Sequence, residues 1–398
     1  MGYVLRVQLF FNKNRRKRLR ERSRKKIVKK AAKQIIIPIF ADHKQKSPQI
    51  TVERMAKHRI TIKDIAKALN LSTSTVSRAL ADRWDVNPET RKVVLELAEK
   101  LNYQPNPYSL SLKQQQSFAV GVIIPEFIHE FFPEVIMGMQ SVLEPKGYQL
   151  LISQSNESAE VELRNLKTLE AKMVDGFLVS ITKETNDMRY FKQLADNQIP
   201  IVFFNRIGKD LPISHVIIDD YKWAFLAVEH LIKQGCERIV HLAGPESLGI
   251  LQNRLLGYAD ALKKYDIAYD EKLIIPCGLM METGIIGAMK ILEMAELPDG
   301  IFAVNDAVAI GAMKTLLKKG IKIPEDMAVV GFTESKMAMI VEPNLTSVEQ
   351  PTYEIGKAAA ELLLEQMSSK NEIPLRVITL EAKLNIRESS LKKDRQNL

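Results

Sequence analysis

Three polar side chains stand where apolar runs give way to other elements. Asp220 follows Val216–Ile218, Arg254 opens the segment Arg254-Leu-Leu-Gly-Tyr258, and Asp306 lies just beyond Ile301–Val304 with Asn305 beside it. Carboxylates accept hydrogen bonds from hydroxyls, and a guanidinium donates in a fork, so together they suit a polyhydroxylated ligand. Each could equally be a helix cap or a surface ion pair. A second group, Thr73, Ser74, Ser77 and Arg78, would share the outward face of one short helix. Small hydroxyl residues permit close approach to base edges, and Arg can fork onto guanine O6 and N7. The same residues could instead merely cap and solubilise a small helical bundle.

Other chemistries find no support. There is no G-x-S-x-G elbow, no Walker A motif and no G-x-G-x-x-G after a strand, so an enzyme is not expected. Asp219-Asp220 could begin a metal site, but nothing nearby completes a coordination set and a helix cap suits the pair better. The six histidines are scattered, and two cysteines, Cys236 and Cys277, cannot build a disulfide scaffold or a four-thiolate site. No metal and no cofactor is expected. No apolar run reaches membrane-spanning length and the first residues lack a secretory leader's apolar core, which points to a cytoplasmic protein.

The elements that must position these residues fall into distinct regions. At roughly 150 residues per domain, 398 residues suggest two or three folding units. Residues 1–54 hold 17 basic and three acidic residues, a net of +14, while the remainder is net −5. The basic extension, taken as 1–58, has three readings: a nucleic-acid-binding arm, a solvated tail, or an artefact of the assumed start, with translation beginning at Met55.

Residues 59–104 read as three short helices. Thr61-Ile-Lys-Asp64 is a capping-box-like start, followed by Ile62, Ile65, Ala66 and Leu69 at helical spacing. Ser72 caps a second helix with Val76, Ala79 and Leu80 inward. Asn87-Pro-Glu-Thr90 starts a third, carried on by Val93, Val94, Leu97, Ala98 and Leu101. Two helices this short, joined by a tight turn, need the third to complete a core; that is helix-turn-helix geometry. Residues 105–116 are polar with two prolines, a linker or a hinge. From 117 to 388, apolar runs (119–124, 149–153, 176–179, 201–204, 216–218, 239–242, 301–304, 328–330) alternate with helical patterns such as 223–233 and 307–319. Regular alternation means parallel sheets covered on both faces, and this stretch is long for one sheet, so two α/β lobes are expected. Ligands of such folds sit near the carboxyl ends of strands, here between the lobes. Residues 389–398 read as a polar tail.

The run from Thr61 to Leu80, with Asn87-Pro-Glu-Thr-Arg91 and Leu101-Asn-Tyr-Gln-Pro-Asn106 at matching spacing, resembles the headpiece of the LacI/GalR family of bacterial transcription regulators. The remainder resembles that family's effector domain, related to periplasmic sugar-binding proteins, through Phe302-Ala-Val-Asn-Asp306, Ile323-Pro-Glu-Asp326, Val330-Gly-Phe332 and Leu345–Pro351. The resemblance implies an α plus α/β protein: a three-helix headpiece, a hinge helix, and a two-lobed periplasmic-binding-protein-like domain. It implies a homodimeric regulator, by default a repressor, on double-stranded operator DNA, associated with the nucleoid when bound, whose affinity follows a small effector, a sugar or sugar derivative. Thr73, Ser74 and Arg78 match base-reading positions, Thr75 and Ser77 lie near the backbone, and Leu112 takes the place of a minor-groove wedge. Phe131 and Phe132 sit where the family shows an aromatic pair over the ligand, and Arg254 and Asp306 match effector-binding positions. The sequence departs from the pattern at Leu110, His129, Leu279 and Thr333-Glu334. A sugar-binding protein of an uptake system, the rival reading, would need a leader and no headpiece.

Overall fold

The structure, a computed structural model, describes residues 60–104, 116–208, 211–369 and 374–392. The chain divides into two units at Pro105, against an expected boundary at 104. The basic extension and nearly all of the hinge, Leu112 included, lie outside the described residues.

The first unit holds α1 (Ile62–Leu69), α2 (Thr73–Leu80) and α3 (Pro88–Lys100). Each start follows from its cap. Asp64 accepts from the Thr61 backbone N–H at 2.9 Å, Ser72 Oγ accepts from Thr75 N–H, and Asn87 accepts from Glu89 N–H. Asn70 closes α1 in the left-handed region (φ 54°), which asparagine tolerates better than most residues and which turns the chain into α2. The core is small: Ile65, Ala66, Val76, Ala79, Val86, Val94 and Ala98, with Leu69, Leu80, Leu97 and Leu101 around it.

The second unit is two six-stranded sheets. The amino-terminal lobe holds β1 (Ala119–Ile124), α4 (Phe131–Leu143), β2 (Gln149–Gln154), α5 (Ala159–Ala171), β3 (Gly176–Val179), α6 (Arg189–Asp196), β4 (Ile201–Phe204) and β5 (His215–Ile218). The carboxy-terminal lobe holds α7 (Asp220–Lys233), β6 (Ile239–Ala243), α8 (Gly249–Lys264), β7 (Ile274–Pro276), α9 (Met281–Leu292), β8 (Gly300–Ala303), α10 (Asp306–Lys318), β9 (Ala328–Thr333) and β10 (Thr346–Glu349). The chain then returns: α11 (Thr352–Ser368) and β11 (Val377–Leu380) join the first sheet, and β12 (Lys383–Asn385) joins the second.

The sheet orders are β11-β5-β4-β3-β1-β2 and β12-β10-β9-β8-β6-β7. Every pairing is parallel except β10 with β12. Within β1, Val120, Val122 and Ile124 enter one core and Ile123 the other; within β9, Val330 and Phe332 enter one and Val329 another. Both faces are therefore dry, which is why these strands read as unbroken apolar runs. The eight sequence-expected strands are all present. Strands β7, β10, β11 and β12 were not expected: they are three or four residues long, and three of them carry polar residues at edges or crossings.

One boundary is corrected. The polar tail does not begin at 389, because Ser389 and Ser390 are fully buried. Ser389 Oγ donates to Val329 O at 2.7 Å, and Ser390 Oγ lies 2.7 Å from His230 Nε2. Short polar side chains at a chain end look solvated, but here their hydroxyls meet backbone and side-chain partners inside the second lobe.

Candidate functional site

In the first unit, α2 presents Thr73, Ser74 and Arg78 as exposed residues and leaves Thr75 and Ser77 half-buried. Val76 and Ala79, on the opposite face, hold the helix to the core. Ser72 Oγ gathers the Ser74 and Thr75 hydroxyls at 2.7 and 2.8 Å. Arg78 is held out by Asp85, with 3.0 Å between Nη1 and the carboxylate. Trp84, which sequence reasoning passed over, is 91% exposed next to Asp85 in the chain. The Arg78–Asp85 pair is partly exposed to solvent, and such pairs are worth little to stability.

In the second unit, the three predicted polar residues are buried together. Arg254, on α8, sets Nη2 2.7 Å and Nε 2.8 Å from Asp220 Oδ1, donates from Nη1 to Val304 O at 2.5 Å, and lies 3.6 Å over the Phe332 ring. Burial pushes the Asp220 carboxyl up, and the adjacent guanidinium opposes that shift. Asp219 is the helix cap, accepting from Lys222 N–H at 2.9 Å. Asp306, on the first turn of α10, accepts from Ser347 Oγ at 2.5 Å and Ser335 N–H at 2.6 Å. Desolvation raises it to about 6 despite those bonds. Gly331 makes room for it, since a Cβ there would meet Asp306 Oδ1 at 2.4 Å. Two successive residues of positive φ, Thr333 (129°) and Glu334 (64°), then turn Ser335 N–H onto the carboxylate.

Phe131 and Phe132 begin α4, edge-to-face at 5.1 Å, both buried. Phe132 packs on Phe204 and carries the Arg206 guanidinium at 6.0 Å from its ring centre. Asp220 and Arg254 are thus in direct contact. Asp306 is near but separately held, and the two phenylalanines belong to the other lobe.

Sequence reasoning missed several residues. Arg206 follows the apolar run of β4, so the rule that singled out Asp306 would have found it. Its Nη1 donates to Glu157 at 2.8 and 3.0 Å, while its Nε is buried without a protein partner. Ser180, His129, Ser335 and Gln350 likewise hold buried polar atoms without a protein partner. Ser180, Arg206, Ser335 and Gln350 all follow carboxyl ends of strands, two in each lobe, and His129 lies in the loop after β1. A cavity of about 640 Å³ lies between β4, β5 and the start of α8, lined by Arg206, Ile218, Asp220, Leu248, Gly249 and Asn253 among others. At the mouth of the cleft, Lys336 of the second lobe donates its backbone N–H to Glu130 of the first at 3.1 Å, with Nζ 3.5 Å from the same carboxylate. Among the described residues, no group of His, Cys, Asp and Glu could hold a metal ion, and no helix is long and apolar enough to cross a membrane.

Buried polar groups are ordinarily hydrogen-bonded, and four of these orphans follow strand ends, where ligands of parallel α/β folds bind; of them, Arg206 lines the cavity. A two-lobed α/β binding domain with such a cleft, preceded by a helix-turn-helix unit, defines a ligand-binding transcription regulator. Residues 61–106 match the family model of the bacterial regulatory proteins of the lacI family, and residues 228–390 match a periplasmic binding protein-like domain. The ribose operon repressor of Halalkalibacterium halodurans is 32% identical over 328 residues, 81% of this chain and 96% of that protein. The transcriptional repressor CytR of Escherichia coli is 33% identical over 311 residues, 78% and 91% of the two chains. A solved structure of the transcriptional regulator CelR with cellobiose aligns with a TM-score of 0.64 at 28% identity, covering 83% of this chain and all of that one. The chain belongs to the LacI family of transcriptional repressors.

Proposed function

We propose that the protein is a sequence-specific repressor whose operator affinity is set by a small-molecule effector, a sugar or sugar derivative, held between the two lobes. The observation that carries this reading is a cavity lined by Arg206 and Asp220, with buried polar atoms lacking protein partners just past strand ends in both lobes. The relatives point the same way, one being a ribose operon repressor and one a regulator in complex with cellobiose. Asp220, Arg254 and Asp306 would grip hydroxyls, and Phe131 and Phe132 would offer an apolar face.

Thr73, Ser74 and Arg78 would read bases, with Thr75 and Ser77 toward the backbone. Leu112, outside the described residues, would wedge the minor groove from the hinge 105–116. A homodimer would place two headpieces on a two-fold symmetric operator. The ligand shifts DNA affinity only by its differential affinity for the two arrangements of the lobes.

Selection of bound duplexes from random DNA tests the first half of the reading. A two-fold site with a recurring half-site is expected, and Arg78→Ala should weaken binding to it by about 1–3 kcal/mol and relax preference at one base. The selected duplex then serves to screen sugars for release or enhancement. No enriched site, with or without a pooled sugar mixture, would overturn the regulator reading.

A further inference from the structure

We propose that Arg387 is a positioning residue of the ligand-binding domain: clamped on Glu334, it fixes the turn that aims the Ser335 N–H at the Asp306 carboxylate. The bearing of this clamp on the effector rests on the reading of Asp306 as an effector-binding residue. Arg387 stands two residues beyond β12, and its backbone is pinned on both sides. Upstream, Asn385 pairs with Ser347 of β10. Downstream, Ser389 Oγ accepts from Thr346 N–H at 2.8 Å and donates to Val329 O at 2.7 Å. Arg387 N–H itself donates to Thr346 Oγ1 at 2.8 Å. From this fixed base, Nη1 donates to Glu334 Oε2 at 3.0 Å and to Leu345 O at 2.8 Å, and Nη2 donates to Glu334 Oε1. Two N–H groups on two carboxylate oxygens fix orientation as well as distance. The two side chains are 19% and 11% exposed, so water competes little for either.

The turn needs such a hold. Thr333 and Glu334 have φ of 129° and 64°. A β-branched residue in that region is unfavourable, and the conformation persists only where its surroundings impose it. Three contacts do so. Glu334 is forked by Arg387, Glu334 N–H donates to Ser347 Oγ at 3.1 Å, and Gln350 Nε2 lies 3.5 Å from Thr333 Oγ1. The first is charge-assisted and bidentate, and it is the strongest of the three. Immediately beyond the turn, Ser335 N–H meets Asp306 Oδ2 at 2.6 Å, while Ser347 Oγ donates to Oδ1 at 2.5 Å.

The same residues set the charge around Asp306. It faces Glu334 after β9, Ser347 on β10, Arg254 on α8 and Arg387 after β12, and Arg387 also feels Glu349 on β10. The Glu334 charge adds to the rise that burial gives the Asp306 carboxyl. Removing Arg387 therefore leaves Glu334 uncompensated and makes Asp306 harder to ionise. Removing the Glu334 charge leaves Arg387 uncompensated and makes Asp306 easier to ionise. A pair that served only to hold the fold would not move the two variants in opposite directions.

Urea denaturation of the full chain from about pH 4 to about pH 8, without ligand, tests this by comparing each variant with its Asp306→Asn counterpart. Folding favours the protonated Asp306, so its contribution is lost as pH rises to about 6. That loss should extend upward in Arg387→Gln and end lower in Glu334→Gln, each by roughly half a pH unit or more, while Arg387→Lys should follow the wild type. Titration with D-ribose and cellobiose is the second arm. A sugar that binds the wild type should bind Arg387→Gln about tenfold more weakly at neutral pH, and its affinity should begin to fall at a higher pH. Shifts in the same direction for Arg387→Gln and Glu334→Gln, or no shift in either, overturn the proposal. A sugar bound equally well by the wild type and by a folded Arg387→Gln overturns its effector half. Failure of both sugars to bind the wild type overturns them as effectors, and the urea curves then decide the role of Arg387 by themselves.

Discussion

Each lobe of the ligand-binding unit buries one arginine against a carboxylate and a phenylalanine ring, yet the two clusters differ in how completely they are satisfied. In the carboxy-terminal lobe, every nitrogen of Arg254 has a protein partner: Asp220, Val304 O and the stack on Phe332 hold it from several sides. In the amino-terminal lobe, Arg206 is fastened to Glu157 through Nη1, rests farther from Phe132, and keeps a buried Nε without a partner. The first cluster joins the crossing between lobes, because Asp220 opens the helix that follows β5. It serves the architecture as well as any ligand. The second is fastened through one nitrogen and keeps another buried without a protein partner.

Breaking the tighter cluster should have the largest effect. Asp220→Ala leaves Arg254 charged and unpaired in the interior, and a loss of about 3–5 kcal/mol in urea denaturation is expected. The paired replacement of Asp220→Leu with Arg254→Met should recover most of that stability and still abolish ligand response. A double variant that responds normally would mean that neither residue touches the effector.

The looser cluster should show a pH signature. Glu162 is pushed up to about 7, chiefly by burial, against an ordinary value of 4.5. Folding therefore favours its protonated form; that contribution is full below the ordinary value and is lost as pH rises through about 7. Glu162→Gln keeps an acceptor for Thr182 N–H but does not titrate. It should gain about 2 kcal/mol on the native protein between about pH 5 and pH 8, by denaturation at each pH. A constant difference across that range would place the charged form of Glu162 at no disadvantage.

The contact between lobes should give the smallest effect. Lys336 and Glu130 are both substantially exposed, so Lys336→Gln should change stability by no more than about 1 kcal/mol. Because this pair joins the two lobes directly, it should still weaken effector binding a few-fold at low salt, with the difference fading at high salt. An affinity change that persists in high salt would point to packing rather than charge.

The headpiece was the most legible part of the sequence. Its three helices start at Thr61, Ser72 and Asn87 because caps act on residues two or three positions away, and that information lies in the local string. The eight longer strands were legible for a related reason: a parallel strand covered on both faces is apolar throughout. The short strands β7, β10, β11 and β12 were not, because their membership depends on which neighbour they pair with. Ser389 and Ser390 were misread for the same reason, as burial of a hydroxyl depends on partners distant in the chain.

Sequence alone thus determined the order of the headpiece helices and of the eight longer strands, the α2 face that carries Thr73, Ser74 and Arg78, and the strand-end positions of Asp220 and Asp306. Only the tertiary structure decided that Asp220 is bound to Arg254, that Asp306 is held by Ser335 and Ser347, and that Arg206 lines the same cavity as Asp220. Those partners come from strands and helices far apart in the chain, and nothing in local propensity or periodicity encodes which of them meet. Hydrogen bonds and buried ion pairs act over about 3 Å, so they become visible only when packing has brought the partners to that distance.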